Sequence, residues 1–148
     1  MADKTQDTSI ANTKLPDAPI SAGAPKLKRV LCVEDEHFIS ELYTRALKKA
    51  GYEVTVATDG TEGLAQAKTG NFDIMLLDIM LPNLVGTEVL NQLKDPALDL
   101  KTRIVVTTNL EQKQDARAAI EKQADGYIVK AEVTPKQLVG FLQHFETN

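Results

Sequence analysis

Residues Ile74-Met75-Leu76-Leu77 run without a polar interruption into Asp78, and Pro82 follows four positions later. A short apolar run bounded by turn signals reads as a strand buried on both faces, which requires a layer of other elements above and below it. Such strands belong to parallel sheets, and they deliver their last residue to the carboxyl edge, where open α/β sheets bind their ligands. Asp78 is therefore placed where chemistry is expected. Taken alone, a strand-end aspartate is more often a turn or cap residue, by about three to one, so support has to come from the rest of the chain.

That support begins at Arg29, where Arg29 to Val33 reads as a first strand followed at once by Glu34-Asp35-Glu36. Glu36 to Ala50 has helical spacing, with Phe38, Leu42 and Ala46 on one stripe and Ile39, Tyr43 and Leu47 beside it; Gly51 supplies the stop. Glu53 to Ala57 is a β-branched second strand. Asp59 or Thr61 then caps a short helix to about Lys68, with Gly70-Asn71 as its end. After the Asp78 strand, a loop through Pro82 and Gly86 leads to a helix from about Thr87 to Lys94, broken by Asp95-Pro96. Arg103 to Thr107 is the fourth strand, Glu111 to Gln123 a helix with Ala116, Ala119 and Ile120 facing in, and Tyr127-Ile128-Val129 the fifth strand. Thr134 as cap and Pro135 at the first helical position open a last helix ending near Phe145. Strands that alternate with helices imply a parallel sheet covered on both faces and joined by right-handed crossovers.

Composition narrows the function classes. A length of 148 residues with 43% hydrophobic content suits one domain with a sizeable core. Residues 1–26, small and polar with Pro16, Pro19 and Pro25, read as a flexible tail, leaving 27–148 as the folded domain. A net charge of -4 argues against a nucleic-acid surface. The absence of any apolar run near the roughly 18 residues that span a bilayer, and of a signal-peptide core, argues for a cytoplasmic protein with no membrane partner. The single cysteine, Cys32, reads as a small buried hydrophobe in a reducing compartment. With only His37 and His144 and no cysteine cluster, a zinc or iron site of the usual kind is not expected.

The ends of four strands carry Glu34-Asp35, Asp78, Thr107-Thr108 and Lys130, all at one edge of such a sheet. Singly, each has a bland reading as cap, strand residue or solvated charge. Together, clustered carboxylates stay ionised when a hard divalent cation sits among them. A lysine and a hydroxyl beside them suit a transferring phosphoryl group, whose charge lies on its peripheral oxygens.

These motifs, Val33-Glu34-Asp35-Glu36, Asp78-Ile79-Met80-Leu81-Pro82 with Gly86, the threonine after the fourth strand, and Gly126-Tyr127-Ile128-Val129-Lys130, resemble the receiver domain of two-component response regulators over about Leu27 to Phe145. The resemblance implies a flavodoxin-like, CheY-like doubly wound sheet of order 2-1-3-4-5. It implies that Asp78 accepts a phosphoryl group from the phosphohistidine of a sensor histidine kinase or phosphotransfer protein. Mg²⁺ is then held by Asp35, Asp78 and the Met80 carbonyl, with Glu34 acting mainly through a bound water. Lys130 binds a phosphoryl oxygen, Thr108 hydrogen-bonds another, and Tyr127 changes rotamer with it; Thr107 competes for the switch role. The exposed side of the first helix, with His37, Ser40 and Glu41, is where family members meet their kinase. A downstream protein target follows, with room for a phosphorylation-dependent homodimer and none for nucleic acid.

The chain departs from the family pattern at four places. Ala131 stands where a cis-bonded proline is usual, Asn109 replaces a small residue, Gln123 replaces a glycine that ends a helix, and Glu34 replaces the commoner aspartate. Met80 and Leu110 are apolar, which implies a slowly hydrolysed aspartyl phosphate. The leading expectation is a stand-alone receiver that acts as a signalling switch rather than an enzyme. A phosphorylation-independent adaptor of the same fold is the alternative. A small aspartyl-nucleophile phosphatase lacks its general acid because Met80 stands at that position, and a flavodoxin would set Glu34-Asp35-Glu36 against a flavin phosphate.

Overall fold

The computed structural model describes residues 26–109 and 113–145. Its strands are β1 (Arg29–Val33), β2 (Glu53–Ala57), β3 (Ile74–Asp78), β4 (Arg103–Thr108) and β5 (Gly126–Val129). They form one sheet in the order β2-β1-β3-β4-β5, every pair parallel. The helices are α1 (His37–Lys49), α2 (Gly60–Ala67), α3 (Gly86–Leu93), α4 (Gln114–Gln123) and α5 (Pro135–His144). Short 3-10 turns at Pro96–Leu98 and Lys130–Glu132 complete the described residues, none of whose helices is long and apolar enough to cross a membrane.

Alternation along the strands builds two cores. Val30, Cys32, Ile74, Leu76, Val105 and Ile128 face Tyr43 and Leu47 of α1 and Leu138, Val139, Phe141 and Leu142 of α5. The intervening Leu31, Val33, Met75, Leu77, Val106 and Tyr127 face Ala67 of α2, Val89, Leu90 and Leu93 of α3 and Ile120 of α4. Every residue of β3 is buried because β3 is central and covered on both sides. The edge strand β2 alternates between exposed and half-buried until Ala57.

The element ends follow local chemistry. The Asp59 carboxylate accepts from the Glu62 amide and caps α2. Thr134 and Gln137 form a reciprocal capping box at α5. Gly51, with φ of 102°, turns the chain out of α1 in a conformation that side chains resist.

Four expectations meet a different structure. Helix α4 starts at Gln114 rather than at Glu111, which lies outside the described residues, as does Leu110. Ala116 and Ala119 are exposed, and Ile120 is the buried residue of α4. The core-facing side runs instead through Arg117 and Ile120, three residues apart on one helix face, and Ala124 just past the helix packs against the same core. Gln123 needs no left-handed backbone: it ends α4, and Ala124 beyond it is extended, with φ of -105°. The Lys130–Ala131 bond is trans and opens the 3-10 turn.

Burial in the α1/α5 core pushes the Cys32 thiol up to about 12, with the nearby Glu34 charge adding to the effect. The unfolded thiol loses its proton near its ordinary value of 9.0 while the folded one keeps it. Stability from this group is therefore complete below pH 9 and is lost as pH rises toward the folded value. Urea unfolding across this range should show wild type losing about 1.4 kcal/mol per pH unit more than Cys32→Ala; parallel curves would refute this.

Candidate functional site

In the order β2-β1-β3-β4-β5, the connections leave β1 toward one edge and β3 toward the other, so the crevice lies between the carboxyl ends of β1 and β3. Glu34 and Asp35 stand at one lip and Asp78 at the other. The Glu34 amide donates to the Ala57 carbonyl at 3.0 Å, carrying the β1 direction one residue past the strand.

Strand alternation decides which side chains meet. Glu34 follows Cys32, Asp78 follows Leu76 and Lys130 follows Ile128, all on the α1/α5 side. The Lys130 ammonium donates to Glu34 Oε1 at 2.7 Å and to Asp78 Oδ2 at 3.2 Å. Glu34, Asp78 and Lys130 are respectively 2%, 1% and 7% exposed, so this is a buried ion triad and not a surface pair. The remaining carboxylate oxygens are also engaged. Glu34 Oε2 accepts from the Glu36 amide at 3.1 Å, and Asp78 Oδ1 from the Met80 amide at 3.0 Å.

Burial raises the Glu34 pKa, and the Asp78 charge adds to this against the lowering effect of the Lys130 hydrogen bond. At Lys130 burial works the other way, but the Glu34 hydrogen bond and the Asp78 charge outweigh it and hold the ammonium above the ordinary lysine value.

Asp35 is exposed at the rim. One oxygen from each of Glu34, Asp35 and Asp78 lies within 4.8 Å of the others, a donor set of hard oxygens that suits a small divalent cation. Thr107 pairs in register with Asp78, and both threonines are buried. By alternation Thr108 continues the face of Val106, which pairs with Tyr127, so Thr108 and Tyr127 share the side covered by α2, α3 and α4. Thr107 belongs to the opposite face with Val105. Met80 is 65% exposed beside the acids, and Asn109 is exposed.

The loop from Ile79 to Gly86 is closed by the Gly86 amide on the Ile79 carbonyl at 2.8 Å. A Cβ at Gly86 would run into the Asp78 carbonyl oxygen and the Ile79 Cα. Only glycine lets α3 start this close to the end of β3.

The sequence motifs thus come together in space, except that Thr108 and Tyr127 lie on the other face from the triad. Two participants escape sequence reasoning: the Glu34–Lys130 bond, made across 96 positions, and Arg117, whose guanidinium carbon lies 4.4 Å from the Tyr127 ring centroid. An arginine three residues before Ile120, on a core-facing stripe, is the signal that was available for the second.

Comparison with known proteins agrees with this architecture. The family model of the response regulator receiver domain matches residues 30–143, and the chain belongs to that family. Among curated relatives it is 40% identical over 102 residues to the transcriptional regulatory protein DltR of Streptococcus agalactiae, covering 69% of this chain and 45% of DltR. It is 38% identical over 103 residues to the alkaline phosphatase synthesis transcriptional regulatory protein PhoP of Bacillus subtilis, covering 70% of this chain and 42% of PhoP. The chain therefore spans about half the length of these relatives. Among solved structures, a CheY-like receiver domain protein from Methanospirillum hungatei superposes with a TM-score of 0.70 at 30% identity, over 82% of this chain and 95% of that one. The fold is the CheY-like, flavodoxin-like one that the family resemblance implied.

Proposed function

We propose that this receiver domain accepts a phosphoryl group on Asp78 from the phosphohistidine of a sensor kinase or phosphotransfer protein, and that the change alters its binding to a downstream protein. The observation that carries the reading is the buried lysine bridging Glu34 and Asp78 at the sheet's switch point. A charge-compensated carboxylate there is a nucleophile for phosphorus. In the transfer, an Asp78 oxygen bonds to phosphorus as the donor's N–P bond breaks, and the donor imidazole keeps the electron pair. The Lys130 ammonium moves from the carboxylate to a phosphoryl oxygen, and the Met80 amide keeps Asp78 oriented.

Asp35 and Asp78, with the Met80 carbonyl, would hold Mg²⁺, which when bound supplies charge neutralisation on the phosphoryl oxygens. Glu34 has both oxygens engaged by Lys130 and the Glu36 amide, which supports its acting through a bound water. Thr108 would donate its hydroxyl to the phosphoryl group, and Tyr127 on the same face would follow.

The test is intact mass after incubation with Mg²⁺ and acetyl phosphate. Wild type should gain one phosphoryl group and Asp78→Ala none. A folded wild type that gains nothing would favour the phosphorylation-independent adaptor instead.

A further inference from the structure

Helix α2 crosses β1 on its way from β2 to β3, and its first turn touches both lips of the acidic crevice. On the β3 side, the Gly60 amide donates to the Pro82 carbonyl at 3.2 Å, and a Cβ at Gly60 would run into the Leu84 carbonyl oxygen. Pro82 and Leu84 belong to the loop that carries Met80 and that the Gly86 amide closes on the Ile79 carbonyl. On the β1 side, a Cβ at Gly63 would come within 2.7 Å of Val33 Cγ1 and 3.0 Å of its Cγ2, and Val33 leads directly into Glu34. Two glycines three residues apart thus let the helix lie closer to both lips than a side chain would permit. The turn between them is itself locked. The Asp59 carboxylate accepts from the Glu62 amide at 2.8 Å, and Glu62 Oε1 accepts from the Thr58 amide at 3.1 Å. The Glu34 amide, on the Ala57 carbonyl, ties the β1 lip to the end of the strand from which this turn departs.

We propose that the first turn of α2 is a spacer. Gly60 and Gly63 are positioning residues that fix the gap between the Glu34–Asp35 lip and the Asp78–Met80 lip, and with it the size of divalent cation that the crevice accepts. This rests on the reading of Asp35, Asp78 and the Met80 carbonyl as a Mg²⁺ site. The oxygens of Glu34, Asp35 and Asp78 that lie within 4.8 Å of one another come from both lips, so their spacing depends on that gap. Mg²⁺ demands a near-ideal octahedron of oxygens at about 2.1 Å, whereas Ca²⁺ takes about six to eight at about 2.3–2.6 Å in flexible geometry. A displaced lip therefore costs Mg²⁺ more than Ca²⁺, whichever way the lip moves. Groups that orient the ligands without touching the metal are worth about 10- to 100-fold in affinity. The two glycines act by the space they leave and offer the ion no side-chain ligand.

The test uses the full chain labelled with ¹⁵N and titrated with Mg²⁺ or Ca²⁺, followed by NMR at the Glu34 and Met80 amides, one on each lip. Gly63→Ala should weaken Mg²⁺ binding about 10-fold or more and Ca²⁺ binding less than about 3-fold. Adding Val33→Ala removes the two methyl groups that the new Cβ meets and should return most of the Mg²⁺ affinity. Gly60→Ala pushes on the other lip, so it should show the same preferential loss of Mg²⁺ and gain nothing from Val33→Ala. Leu142→Ala, fully buried in the α1/α5 core, should lower Tm and leave both affinities at their wild-type values. A purely structural role for the glycines makes both affinities follow Tm across these variants, which overturns the proposal. Should Gly60→Ala fail to fold, Gly63→Ala and its rescue decide alone. If wild type binds neither cation, the Mg²⁺ reading fails by itself. The metal-free amides then decide the spacer. It stands if either signal shifts in Gly63→Ala beyond its shift in Leu142→Ala and returns with Val33→Ala, and it falls if neither does.

Discussion

Lys130→Met should lower the unfolding free energy by about 3–5 kcal/mol at neutral pH, roughly 10–20 °C in Tm. Lys130 is shared by two carboxylates that are themselves buried, and methionine keeps the stem while removing the charge. Without it, Glu34 and Asp78 face each other unpaired, with Asp35 close by. The difference from wild type should form a plateau that closes on both sides. In acid it shrinks as Glu34, whose pKa burial already raises, takes up a proton and removes one unpaired charge. In alkali the Lys130 contribution, complete below the ordinary lysine value of 10.5, is lost as pH rises through its higher folded value. Added Mg²⁺ should restore more stability to the variant than to wild type. Urea unfolding at several pH values checks this, and a difference under about 1 kcal/mol at pH 7 would show that the triad's desolvation cancels its attraction.

The second large effect is expected at Gly86. In Gly86→Ala the new methyl meets the Asp78 carbonyl and the Ile79 Cα, which are backbone atoms and cannot rotate away. The 79–86 loop has to shift, at about 3 kcal/mol or roughly 10 °C in Tm. That shift also moves the Met80 amide off Asp78 Oδ1, so phosphorylation by acetyl phosphate should slow along with the loss of stability. Gly70→Ala separates sterics from backbone strain. Gly70 has φ of 74°, and a Cβ there would meet nothing within 4 Å, so the variant should lose only about 1 kcal/mol and keep its phosphorylation rate. Equal Tm values for the two variants would defeat the argument.

The strands were legible because each is an apolar run with turn residues at both ends, and the triad because its members are the residues that end those runs. Gly51, Asp59 and Thr134 announced helix boundaries by chemistry that acts within a few residues. Helix α4 was harder to read. Its alanines pack equally well in or out, so Ala116 and Ala119 carry no directional signal, and the half-buried Arg117 hides its stem behind a charge. Glu34 as the shorter-range partner of Lys130 was also hidden, because that contact depends on the lateral placement of β1 and β5 and not on any local pattern. Ala131 pointed to unusual loop geometry only by comparison with a proline that this chain lacks.

The span of the Lys130–Glu34 bond also has a temporal side. Synthesis releases Glu34 and Asp78 well before Lys130, and the bond closes a loop of 96 positions. Until β5 docks beside β4, Glu34 and Asp78 lack the Lys130 ammonium that bridges them in the folded domain. On the proposed reading, competence to accept a phosphoryl group on Asp78 would arrive only with completion of the sheet.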